Sequence, residues 1–139
     1  MLIPKKVKHR KWQKGRSKGR LVESRGLLLN YGQYGLKATE AAWLTSQQIE
    51  AARRTVTHFL KRQGRLWIRV FPDKPITKRP PETTMGGGKG SVDHYVFPVR
   101  PGRIILEVDG VAEATAREAL RRAGYKLPFK SRVIAKSDK

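Results

Sequence analysis

The segment Met85-Gly86-Gly87-Gly88-Lys89-Gly90-Ser91 comes closest to a phosphate-binding spacing. A Walker-type loop needs Gly, four residues, Gly-Lys and then Ser or Thr, so that backbone N–H groups cradle phosphate and the hydroxyl holds Mg²⁺. Here Gly90 follows Lys89, and Thr83 occupies the position of the first glycine. The pattern fails at both places. What survives is a backbone able to pass close to another chain, with Lys89 as a point charge for phosphate. The alternative is a plain flexible hairpin tip.

Catalytic constellations are poor. His9, His58 and His94 fall in an arm, a helix and a strand, with nothing to bring them together. Asp93 and His94 are adjacent, so on a strand they are expected on opposite sides. There is no HExxH, paired-acid or nucleophile-elbow pattern, and no cysteine to supply a thiolate. The expectation is a protein without enzymatic activity, metal or cofactor.

Basic residues with interleaved aromatics are the positive finding. The chain has 139 residues, with 31 Lys+Arg against 11 Asp+Glu, a formal charge of +20. Such a surplus repels itself, and a polyanion relieves it; nucleic acid is the expected partner. An anionic membrane is the rival, but no apolar run approaches the roughly 18 residues needed to span a bilayer. Residues 1–20 contain no acid at all. The candidate RNA contacts there are Lys5, Lys6, Lys8, His9, Arg10, Lys11, Trp12, Lys14, Arg16, Lys18 and Arg20. Further along they are Arg53, Arg54, Lys61, Arg62, Arg69 beside Trp67, Lys74, Lys78 and Arg79. Tyr31 and Tyr34 either stack on unpaired bases or pack on the sheet. No zinc finger, zipper, helix-turn-helix or RNP sequence is present, which leaves structured RNA bound by shape and backbone.

The elements that must position these residues follow from periodicity. The arm has too few apolar groups to order alone and is read as extended until it meets a partner; the alternative is a solvated tail. Leu36 to Ala42 is read as a short strand after the turn-like Tyr31–Gly35. Leu44 to Gly64 is the clearest helix, with a Thr45/Gln48 capping box and an apolar stripe of Ile49, Ala52, Val56, Phe59 and Leu60. Lys61 and Arg62 fall in its last turn, with Gly64 as the stop. Leu66–Phe71 alternates as a strand, and 72–81 reads as a stiff basic connector rich in proline. Val92–Val99 and Ile104–Val108 are two strands joined by an Arg100-Pro101-Gly102-Arg103 turn. Ala112–Ala123 is a second helix, and a last short strand lies around Arg132–Ala135. This order predicts an α+β domain with a mainly antiparallel or mixed sheet. The division is a basic arm, 1–20, one domain, 21–135, with a loop at 78–93, and a frayed tail, 136–139. Absence of cysteine fits a reducing, cytoplasmic setting.

Taken in order, the residues go further. The basic start Pro4-Lys5-Lys6-Val7-Lys8-His9-Arg10-Lys11 and Lys14-Gly15-Arg16 resembles that of the bacterial large-subunit ribosomal protein L-sixteen family. So do Tyr31-Gly32-Gln33-Tyr34-Gly35-Leu36-Lys37-Ala38 and Gln48-Ile49-Glu50-Ala51-Ala52-Arg53-Arg54. Lys61-Arg62-Gln63-Gly64 through Trp67-Ile68-Arg69-Val70-Phe71-Pro72-Asp73-Lys74-Pro75-Ile76-Thr77 is close to a family signature. Met85-Gly86, Gly88-Lys89-Gly90, Pro101-Gly102 and Lys126-Leu127-Pro128 complete the series. The resemblance implies an α+β barrel-like sheet with two helices, an extended basic arm and a long Gly-rich loop. It implies a non-catalytic constituent of the large ribosomal subunit that binds rRNA near the A and P sites, approaches tRNA and joins late in assembly. Its partners would be large-subunit rRNA, tRNA and neighbouring ribosomal proteins, with no membrane and no homo-oligomer. Met85, Gly86, Gly87, Gly88, Lys89 and Gly90 would face the peptidyl transferase region. Thr84 stands where the family often has an arginine that some bacteria hydroxylate, Gly87 replaces a frequent lysine, and Trp43 a small or basic residue. A free RNA-binding regulator outside the ribosome is the alternative. The lack of added N-terminal residues favours a bacterial over an organellar protein.

Overall fold

A computed structural model describes residues 2–6, 8–12, 23–78 and 88–136. The order is β1 (Tyr34–Ala38), β2 (Ala42–Thr45), α1 (Ser46–Leu60), β3 (Arg65–Ile68), β4 (Lys74–Lys78), β5 (Ser91–Val99), β6 (Ile104–Asp109), α2 (Glu113–Gly124) and β7 (Ser131–Ala135). The strands form two sheets, β3-β6-β1-β7 and β2-β5-β4. Every pairing among the described residues is antiparallel. The α+β expectation holds. The expected barrel does not form: each sheet keeps two edge strands, so neither closes on itself.

The turn at 100–103 shows why. It joins β5 to β6, yet these belong to different sheets, so the Pro-Gly turn passes the chain between layers instead of closing a hairpin. Arg103 ties the layers there. Its Nη2 donates to the Arg69 carbonyl at 2.9 Å, and its guanidinium lies 5.1 Å from the Phe97 ring centroid. Burial lowers the Arg103 pKa, opposed by the charge of Glu23.

The core is built on β6, whose residues Ile104 to Val108 are fully buried. The two helices pack on each other, and α2 lies on β1, β6 and β7. Its buried positions are Ala116, Ala119, Leu120 and Ala123, small enough for close approach. α1 buries Ile49, Ala52, Val56 and Leu60 of the stripe expected from spacing, while Phe59 is only half-buried.

The capping box is present: Gln48 N–H donates to the Thr45 hydroxyl at 3.3 Å, and Thr45 N–H to the Gln48 side chain at 2.9 Å. Leu44 and Thr45, however, belong to β2. The helix also ends earlier than expected. Lys61 and Arg62 lie outside it in the left-handed region, φ 52° and 64°, where their N–H groups bond back to His58 and Thr57 carbonyls. Gly64 follows with φ +73° as part of the turn into β3.

Two strands differ from expectation in kind. Lys74–Lys78, read as a connector, is β4, and Pro75 is tolerated because β4 is an edge strand, where a missing N–H costs no central ladder bond. The antiparallel pairing Lys78↔Ser91 makes 79–90 the connection of a β4–β5 hairpin, shorter than the 78–93 expected. The expected strand at 66–71 is confined to Arg65–Ile68.

Candidate nucleic-acid interface

Helix α1 and the turn that ends it present Arg53, Arg54, Lys61 and Arg62 along one open groove with Thr57 and His58. All four were expected from the sequence to contact RNA, and the fold brings them together. The left-handed turn at 61–62 carries the last two around the helix end beside the first two. A second groove continues the surface from Arg54, His58 and Lys61 onto Arg122 and Lys126. The Arg122 guanidinium sits 4.5 Å from the Phe59 ring centroid, so the exposed edge of the apolar stripe anchors a cation of the other helix. Arg122 and Lys126 were not among the expected contacts. No local signal marks them, because only the packing of α2 on α1 makes the two cationic faces continuous.

This surface is partly neutralised. Glu50 pairs with Arg53 at 2.5 Å and Arg54 at 3.2 Å. Glu118 pairs with Arg121 and Arg122 at 2.6 and 3.0 Å, and Glu113 with Arg117 at 3.0 Å. The Arg53 hydrogen bond, joined by the Arg54 bond and both charges, lowers the Glu50 pKa from 4.5 to about 2 despite opposing desolvation. Hydrogen bonds from Arg122 and Arg121 lower Glu118 as well. A carboxyl with a depressed folded pKa contributes stability above its unfolded pKa and loses it as pH falls through the folded one. Glu50 should therefore stay ionised through pH 4 and protonate only near pH 2, as read by its side-chain carboxyl chemical shift in an NMR titration. A midpoint near 4.5 would mean that the Arg53 contact does not persist in solution.

The arm is exposed at Lys5, Lys6, Lys8, His9, Arg10, Lys11 and Trp12, but it is not detached at either described end. Leu2 packs against the core near Ile68, Val70 and Phe97. Lys11 Nζ donates to the Lys89 carbonyl at 3.0 Å, and Lys89 Nζ donates to the Trp12 carbonyl. The arm and the hairpin connection, 77 and 78 residues apart in sequence, thus meet at these backbone acceptors. Gly88 beside them has φ +86° with open space around it. Lys78 is exposed at the end of β4. Lys14, Arg16, Lys18, Arg20, Arg79, Met85, Gly86 and Gly87 lie outside the described residues.

Two of the residues expected to contact RNA are drawn into the fold. Lys74 is buried, with Nζ 4.7 Å from the centroid of the Trp43 ring. This is also the position the unusual Trp43 takes. Arg69 is 13 % exposed and ion-paired to Glu107, which is fully buried, so its charge is engaged inside the protein. Asp93 and His94 also depart from expectation: the Asp93 carboxylate meets His94 Nδ1 at 2.7 Å although the residues are adjacent on a strand. Among the described residues no cluster of His, Cys, Asp or Glu could hold a metal, and no helix is long and apolar enough to cross a membrane.

An antiparallel α+β domain with a continuous cationic surface over both helices is the form of a polyanion-binding protein. The chain belongs to the ribosomal protein L16p/L10e family, whose family model matches residues 4–134 of the 139. As a member it is a large-subunit ribosomal protein that binds rRNA within the ribonucleoprotein and serves translation.

Proposed function

We propose that the protein is a non-catalytic constituent that holds large-subunit rRNA near the A and P sites, helps position tRNA and completes late subunit assembly. The observation that carries this reading is the family match along nearly the whole chain. The contact between Lys11, Trp12 and Lys89 supports it, because arm and hairpin then engage RNA as one basic unit. The helices supply a second cationic surface, so the domain would dock through α1 and α2 while the hairpin connection reaches toward tRNA. Met85 to Gly90 contains four glycines and few side chains able to fill a core, which suits a segment ordered between RNA strands.

Two experiments test this. Sucrose-gradient fractionation of salt-washed ribosomes with mass spectrometry should find the chain stoichiometric with large subunits; a free regulator would remain at the top of the gradient. Deleting Gly86 to Lys89 should leave the melting temperature almost unchanged and permit incorporation, but slow peptide synthesis. Unchanged synthesis would remove the tRNA-positioning role.

A further inference from the structure

Residues 23–33 are tied to β6 and to the turn that precedes it. Gly26 accepts from Ile104 N–H at 2.9 Å, and Glu23 N–H donates to the Pro101 carbonyl at 3.0 Å. Glu107 catches the far end: its Oε1 accepts from the N–H groups of Tyr31 at 2.9 Å and Gly32 at 3.0 Å. Its Oε2 takes Arg69, which also donates to the Leu28 carbonyl at 3.1 Å. Gly32 lies so close to β6 that a Cβ there would stand 2.6 Å from the Val108 carbonyl oxygen. The segment is therefore held tightly, by a buried carboxylate and a close backbone approach, at the place where Tyr31 stands.

That side chain is not buried for its trouble. Tyr31 is 58 % exposed, with its ring stacked on Trp67 at 6.0 Å and 22°. The Arg69 guanidinium lies 5.3 Å from the same ring centroid. With both neighbours against its ring, more than half of Tyr31 still stands in solvent. Arg65, two residues before Trp67 and exposed, shares its side of the strand. Exposed Leu28 lies on the same segment.

We infer that Tyr31, backed by Trp67 and Arg69, is a fixed stacking platform for one unpaired RNA base, with Arg65 available to its phosphate. Glu107 is its positioning residue. This rests on the rRNA-binding reading and adds a site to it. An exposed aromatic ring with a cation on the same side of the strand suits a base, whose π-face stacks without sequence demand. Rigid placement avoids the ordering cost that a mobile side chain would carry on binding.

The test uses full-length chain and large-subunit core particles stripped of this protein. Tyr31→Ala should bind about 5- to 150-fold more weakly, the range for loss of one stacked base. Tyr31→Phe, which keeps the ring, should bind within about twofold of the parent. The slope of affinity against salt should be the same for all three, because stacking releases no counterions. Ultraviolet crosslinking of the unaltered chain should place a nucleotide on Tyr31, within the tryptic peptide Gly26–Lys37. This decides the matter even if Tyr31→Ala does not fold. Parent-like binding by Tyr31→Ala, or a crosslink from Tyr31 to a neighbouring protein, overturns the platform while rRNA binding stands. Failure of the unaltered chain to bind the core particles overturns both.

Discussion

Glu107→Ala should destabilise the isolated protein by about 3–5 kcal/mol, the range for removing one partner of a buried ion pair. Glu107 is fully buried, and Arg69 is nearly so. The substitution leaves the guanidinium without its counter-charge and the Tyr31 and Gly32 N–H groups without an acceptor. Glu107→Gln should cost less, because an amide oxygen still accepts one of these bonds. The double change Glu107→Leu with Arg69→Met should recover part of the loss, since no charge is then stranded in the interior. Chemical denaturation of the four proteins checks the order. A Glu107→Ala variant within about 1 kcal/mol of the parent would mean that water replaces the carboxylate and that the segment 23–33 is not held as described.

The affinity for rRNA should fall about 10³- to 10⁵-fold between roughly 50 and 200 mM salt, if six to ten phosphates are contacted. The change should appear as a straight line of log affinity against log salt. Replacing Arg53 and Arg54 with Ala should lower the slope without unfolding the domain, because both project away from the buried stripe of Ile49, Ala52, Val56 and Leu60. The decrease should be less than two whole phosphate contacts, since Glu50 already shares their charge. Replacing Arg122 and Lys126 together should lower the slope as well, although neither stands near α1 in sequence. A flat salt response would assign binding to stacking or protein contacts instead. A slope altered by the α1 pair and not by the α2 pair would separate the two grooves.

What was legible in the sequence is what depends on near neighbours. The Thr45/Gln48 box spans three residues and forms as read, because its donors and acceptors are fixed by one turn of helix. The α1 stripe is buried as its spacing requires at Ile49, Ala52, Val56 and Leu60, with Phe59 at its half-buried edge. The chemistry of the surface followed from charge, and the family from motifs in order along the chain.

Tertiary structure decided what depends on distant partners. Pro75 reads as a breaker, but whether it breaks a strand depends on whether that strand lies at an edge, and β4 does. The Pro-Gly turn reads as a join between two strands, but which partners they take is not local: β5 pairs with β2 and β4, and β6 with β1 and β3. Arg69 and Lys74 carry the same formal charge as Arg54. They differ because Glu107 and Trp43, far off in sequence, enclose them, while Arg54 remains in solvent. Glu107 itself sits in an apolar run and gives no local sign that it will organise Tyr31, Gly32 and Arg69 around one carboxylate. Residue type determines what a side chain can do, but the desolvation that selects among those uses comes from neighbours only the folded chain supplies.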